Sequence, residues 1–320
     1  MLKDLLESKN CFKLICGAGN EDLVCVENLV ALYSAVGCKL FDINASSSVL
    51  DSALRGLNYS VLKENRQDYN FCISVGTKND VHLNKIHINN KYCTKCGKCL
   101  KICPQSAINK DFSVDEKKCI GCLKCKNVCE CNAIDVFSKN KTVQELFKEI
   151  DFSKYKNLTN IELHTTGEDF DEILENWKFL TDNFSGMLSF CIGRSKIGNE
   201  KVLELLKELV SMRKPYSTII QTDGSPMSGG ENDYKTTLQA VAMAEIVRNA
   251  NLPVYILPSG GTNSKTAELA RLCDVDINGV AVGSYARKIV KDYINCEDFL
   301  KNKEIFDKAV KIAREFVQFT

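Results

Sequence analysis

The chain holds 320 residues, 44% of them hydrophobic, with 42 basic side chains against 41 acidic ones and a formal charge of +1. That balance excludes a disordered chain and a broadly basic nucleic-acid binder, and no apolar run approaches the roughly 20 residues of a membrane span. Its 17 cysteines, with no secretory-type opening segment, point to a reducing, cytoplasmic setting.

In chain order, residues 12–19 (FKLICGAG) read as a buried strand running into a glycine turn, and 21–37 as a helix stopped by Gly37. Residues 39–45 form a second strand. Ser48, with Asp51 three residues on, caps a helix expected to end near Gly56, and 71–76 (FCISVG) form a third strand. The pattern then breaks. Residues 84–140 carry Cys93, Cys96, Cys99 and Cys103-Pro104, followed by Cys119, Cys122, Cys125 and Cys129, two C-x-x-C-x-x-C-x-x-x-C runs at a fixed offset of 26 residues. Strand–helix alternation resumes at 143. The strands are expected at 160–166, 186–192, 217–222, 254–258 and 279–282, each followed by a helix, with closing helices at 286–294 and 298–317.

Eight strand–helix units with no reversal predict a (β/α)₈ barrel rather than an open doubly wound sheet. Removing 84–140 leaves 263 residues, close to the roughly 250 typical of such barrels. Residues 1–83 and 141–320 are therefore expected to form the barrel. The cysteine segment is then an insert after strand three, on the face where barrel active sites lie.

Four thiolates must converge on a cubane iron–sulfur cluster. Two-residue gaps let three cysteines of one loop wrap one face, and in two-cluster ferredoxins the fourth cysteine of each run ligates the other cluster. One [4Fe–4S] cluster is accordingly expected on Cys93, Cys96, Cys99 and Cys129, and a second on Cys119, Cys122, Cys125 and Cys103. Zinc has no place for a third cysteine at the same short spacing, and disulfides need an oxidising compartment. The second run departs from the first where Glu130 and Cys131 follow Cys129 in place of a proline. Cys131 is a competing ligand, disfavoured because the three-residue gap to Cys129 matches the first run. Between Lys91 and Lys126 nine lysines face three acids, which offsets cluster charge and suits an acidic redox partner.

At the barrel mouth, the loops after strands seven and eight read Ser259-Gly260-Gly261-Thr262 and Gly283-Ser284-Tyr285. Barrels often bind phosphate there, so Gly260, Gly261, Thr262, Gly283 and Ser284 are candidate contacts to a phosphorylated ligand, with flavin mononucleotide as the leading cofactor. Asp42, His164, Arg194, Gln221 and Asp223 fall at or just past predicted strand ends and are the candidate catalytic groups. No lysine falls at the mouth end of a predicted strand, where a flavin barrel commonly places one.

The segments FKLICGA, FDINA, the two cysteine runs, QTDGSPMSGG, SGGTNSKTAELARL and GVAVGSYARKIV resemble the light-dependent period A proteins of cyanobacteria and plastid-bearing lineages. The likeness covers most of the chain and is most specific at its C-terminal end. It implies an iron–sulfur protein that feeds cellular redox state to a circadian clock, and it implies no catalytic residues. Two functions remain open on the residues: electron transfer or redox sensing, and an oxidoreductase in which the clusters feed a flavin or substrate in the barrel.

Overall fold

A computed structural model describes residues 2–77, 84–139, 141–165, 167–193, 197–224 and 231–318. The strands are β1 (Cys11–Ile15), β2 (Leu40–Asn44), β3 (Asn70–Gly76), β4 (Asn84–Ile88), β5 (Ile134–Ser138), β6 (Leu158–His164), β7 (Met187–Ile192), β8 (Thr218–Asp223), β9 (Tyr255–Ser259) and β10 (Gly279–Val282). Eight of them form one parallel sheet in the order β10-β1-β2-β3-β6-β7-β8-β9. At the seam between β9 and β10, the Asn278 N–H donates to Ile256 O at 2.9 Å, and Asn278 Oδ1 accepts from the Ile256 N–H at 2.8 Å. The result is the nearly closed barrel that the alternation predicts.

The helices are α1 (Leu2–Glu7), α2 (Leu23–Ser34), α3 (Ser47–Ser60), α4 (Lys98–Ile102), α5 (Lys124–Asn127), α6 (Val143–Glu149), α7 (Phe170–Asn183), α8 (Asn199–Ser211), α9 (Tyr234–Asn249), α10 (Thr266–Leu272), α11 (Ser284–Ile294) and α12 (Lys303–Val317). Helices α4 and α5 are not among the expected elements, α12 starts five residues late, and α1 and α3 also differ from the expectation. The N-terminal α1 carries no long periodicity, yet Leu2 and Leu6 pack with Cys11, Leu40, Cys72, Ile219, Tyr255 and Leu257 and plug the lower end of the barrel. In α3 the cap is Ser46, whose hydroxyl accepts from the Val49 N–H, and the helix runs past Gly56 to Ser60. Gly56 is not a stop. A Cβ there would stand 2.3 Å from Glu27 O, so the glycine lets α3 and α2 touch backbone to backbone.

Residues 84–139 carry a small sheet and an apolar cluster of their own, whereas Val143, Leu146, Ile150 and Tyr155 already pack in the barrel core. β4 and β5 pair antiparallel from Asn84↔Ser138 to Ile88↔Ile134. Ile86, Ile88, Ala107, Ile108 and Ile134 share a separate apolar cluster with the cysteines. Among the described residues the seam with the barrel is polar. Buried Lys85 donates to Gly19 O and to Cys119 O, both at 2.8 Å, and pairs with Glu21 at 3.0 Å, while the Glu21 N–H donates to Lys117 O. Replacing 84–140 by a short flexible linker is expected to leave a cooperatively unfolding barrel, because the apolar core does not cross this seam and loop closure costs grow slowly with length. A molten product in chemical denaturation would place the boundary elsewhere.

Candidate functional site

The 26-residue repeat persists in the backbone. Lys95 and Gly121, Gly97 and Leu123, and Ser106 and Asn132 are pairs at that offset, and all six are left-handed, with φ between 50° and 74°. Leucine and lysine adopt that region at a cost, so the same path is imposed on both runs. It turns matching N–H groups onto sulfur: Ala107 donates to Cys103 Sγ at 3.3 Å, and Ala133 to Cys129 Sγ at 3.4 Å. Glu130, standing where the first run has Pro104, instead pairs with Lys98.

The sulfurs gather around two cavities of similar size. Cys119, Cys122, Cys125 and Cys103 line one with Ile86, Ile108, Val114 and Leu123. Cys93, Cys96, Cys99 and Cys129 line the other with Ile88, Phe112, Val128 and Ile134. Each cavity thus takes three cysteines from one run and the fourth from the other, in apolar surroundings. Four thiols and no competing carboxylate on either wall fit a cubane. Cys131 lines the second cavity too, its sulfur 3.7 Å from that of Cys129, and its counterpart at the 26-residue offset in the first cavity is Gln105. Cys96 is exposed, whereas Cys119 and Cys125 are buried.

The barrel lumen holds a second cluster that no sequence periodicity marks. Lys13, in the middle of β1, is fully buried and reaches across the barrel. Its ammonium donates to Glu162 and to Gln221 Oε1 (2.6 Å) and stands 3.2 Å from Asp42 Oδ2. Glu162 Oε1 also meets His164 Nε2 at 2.7 Å and accepts from Cys191 Sγ at 3.0 Å, while Gln221 Nε2 donates to that sulfur at 3.1 Å. Burial works to raise the Glu162 carboxyl, yet Lys13 and His164 hold it well below its usual range. Burial and then Glu162 push Asp42 the other way, to about 6, with Lys13 opposing. Its Oδ1 accepts from the Ser74 hydroxyl, but Oδ2 accepts no hydrogen bond.

Because the folded Asp42 carboxyl is raised above its unfolded value near 3.9, the folded state binds the extra proton between about pH 4 and 6. Stability from this group is therefore lost as pH rises through that window. Relative to Asp42→Asn, the wild type is expected to lose on the order of 1 kcal/mol per pH unit there, read by urea unfolding. Parallel pH profiles for the two proteins would rule this out.

Asp42, His164 and Gln221 thus meet in one network, though Asp42 lies at mid-strand within the lumen rather than at a strand end. Asp223 stands at the rim beside Gly260; Arg194 lies outside the described residues, as do residues 225–230 of the loop that follows Asp223. Gly260 and Gly261 take φ of 56° and 78° to bring the loop against Gly224, whose N–H donates to Ser259 O and Gly260 O. The Thr262 hydroxyl donates to Ala281 O. Gly283 opens α11 with no side-chain cap, and the Arg287 guanidinium lies over it while donating to Ile15 O. Lys13, Glu162, Cys191 and Lys85 are the polar groups not anticipated. A lone lysine inside an apolar strand, FKLIC, is the signal that could have found the first.

Residues 153–318 match the family model for the Light dependent period A C-terminal domain, just over half of the chain, and residues 85–130 match that of the 4Fe-4S dicluster domain. The chain belongs to the Light dependent period A family. Light dependent period A of Synechococcus elongatus is 29% identical over 296 residues, which are 89% of this chain and 82% of that protein. With the dicluster match, family membership makes the chain an iron–sulfur protein. Among solved structures, tryptophan synthase of M. tuberculosis in its aminoacrylate-bound form is 10% identical with a TM-score of 0.44, covering 98% of each chain. The YdjI aldolase of Escherichia coli K12 is 8% identical with a TM-score of 0.49, covering 98% of this chain and 93% of that one. No described helix is long and apolar enough to cross a membrane.

Proposed function

We propose that this family member binds two [4Fe–4S] clusters and uses them for electron transfer or redox sensing. One cluster is held by Cys93, Cys96, Cys99 and Cys129, the other by Cys119, Cys122, Cys125 and Cys103. The observation that carries this is the crossed lining of the two cavities, with three cysteines from one run and the fourth from the other in each. When bound, the clusters supply one-electron chemistry. The chain supplies thiolates, N–H groups aimed at sulfur and an apolar wall that limits water.

The asymmetry of the two sites suits entry of electrons at one end. Cys96 is exposed, and so are Lys91, Tyr92 (63%) and Lys95 just before it in the chain, which suits an acidic redox partner. The other site touches the barrel through Cys119 O, Lys85 and Gly19 O. Electrons would enter at the lysine-rich surface and end at the loop after β1. Reversing Lys91 and Lys95 to glutamate is expected to slow reduction by an acidic ferredoxin-type donor and to flatten its salt dependence. Unchanged salt dependence would remove the docking face from this reading.

A second reading, in which the barrel passes the electrons to a phosphorylated ligand or flavin, is favoured by the uncapped start of α11 beneath Arg287. Gly283→Asp would set a carboxylate where that anion binds. The wild type, purified anaerobically, should then release one flavin or phosphorylated ligand per chain, and the variant none, with equal iron in both. A wild type that carries and binds neither leaves electron transfer or sensing alone.

A further inference from the structure

Glu162 and His164 are alternate residues of β6, so both turn into the lumen. Leu163 pairs with Phe190 across the ladder, which sets Cys191 of β7 beside them. The three ligand atoms lie within 4.8 Å of one another. His164 Nε2 and Cys191 Sγ are 2.7 and 3.0 Å from Glu162 Oε1 and 4.0 Å from each other. A tetrahedral ion with bonds of about 2.0–2.3 Å holds its ligand atoms roughly 3.3–3.8 Å apart. Side-chain shifts of less than about an ångström would therefore seat one.

We propose that Glu162, His164 and Cys191 form a mononuclear site for a borderline-soft divalent ion of the zinc class, separate from the iron–sulfur module. One imidazole, one thiolate and one carboxylate select such an ion over magnesium or calcium, which take oxygen ligands. Three protein ligands leave the fourth position open, and His164, the one member not fully buried (13% exposed), marks the side from which an ion enters.

The groups behind the three ligands match what metal sites require of their surroundings. Gln221 directs an N–H at the Cys191 sulfur, and its own orientation is fixed because its oxygen accepts from Lys13. Lys13 also holds the second oxygen of Glu162, and its charge is matched by Asp42. The two anionic ligands are thus left to a dication. On binding, the Cys191 S–H bond breaks, its proton leaves to solvent and the sulfur bonds the metal.

The test uses the full chain with its clusters loaded, titrated anaerobically with Co²⁺ and then with Zn²⁺. The wild type should take up one Co²⁺ per chain, show thiolate-to-cobalt charge-transfer absorption, and lose it when Zn²⁺ displaces the cobalt. Cys191→Ser should abolish the band. His164→Gln, a change at the partly open position that spares the core, should weaken binding more than 100-fold, and Gln221→Ala about 10- to 100-fold. Iron content should be the same in all four proteins. No Co²⁺ uptake by the wild type would overturn the site and leave a closed hydrogen-bonded set. A band that survives Cys191→Ser but vanishes in Cys131→Ser would move the metal to the insert and equally overturn it.

Discussion

Serine at both Cys125 and Cys129 is expected to strip the chain of its iron, whereas serine at both Cys93 and Cys129 should leave about four atoms of the original eight or so. The two pairs separate crossed from uncrossed ligation. If the fourth cysteine of each run closes the other cluster, Cys125 and Cys129 serve different cubanes, while Cys93 and Cys129 serve the same one. Were each run self-contained, the outcomes would exchange. Single variants cannot decide this, since each removes one cluster under either arrangement. The crossed lining of the cavities makes the first pattern the expected one. Cys131→Ser should keep about eight irons, because Cys129 already accepts the N–H of Ala133 at the position that Cys103 occupies in the other run.

Lys13→Met is expected to cost about 3–5 kcal/mol in urea unfolding, the largest stability loss of any single change at the lumen. The variant leaves Glu162 and Asp42 buried without the ammonium that both of them face. The loss belongs to the stranded charge rather than to the pair, so Lys13→Met with Glu162→Gln should recover much of it. A cost below about 1 kcal/mol for the single variant would mean that water or a bound cation replaces the ammonium.

These two predictions rest on features of unequal visibility in the sequence. Cluster ligands are held by short covalent spacing, so C-x-x-C-x-x-C exposes them directly, and the barrel follows from strands alternating with helices. Lumen chemistry is different. Lys13, Asp42, Glu162 and Cys191 sit on four strands far apart in the chain, and only ring closure makes them neighbours. Each taken alone is one polar residue in an apolar run. His164 is visible as a candidate because it ends its strand, and Asp42 is a candidate although it proves to lie at mid-strand, but the groups that set their charge are not visible. Likewise α1 is too short to show a period, and Gly56 reads as a stop unless the facing backbone of α2 is known. Left-handed Leu123 could be inferred only by carrying the repeat across from Gly97.

Iron and acid-labile sulfide in anaerobically reconstituted chain, followed by electron paramagnetic resonance after reduction, test the central claim most directly. Two cubanes predict about eight of each per chain and a reduced spectrum broadened by coupling between neighbouring spins. About four irons per chain, or zinc held by these cysteines in place of iron, would contradict it.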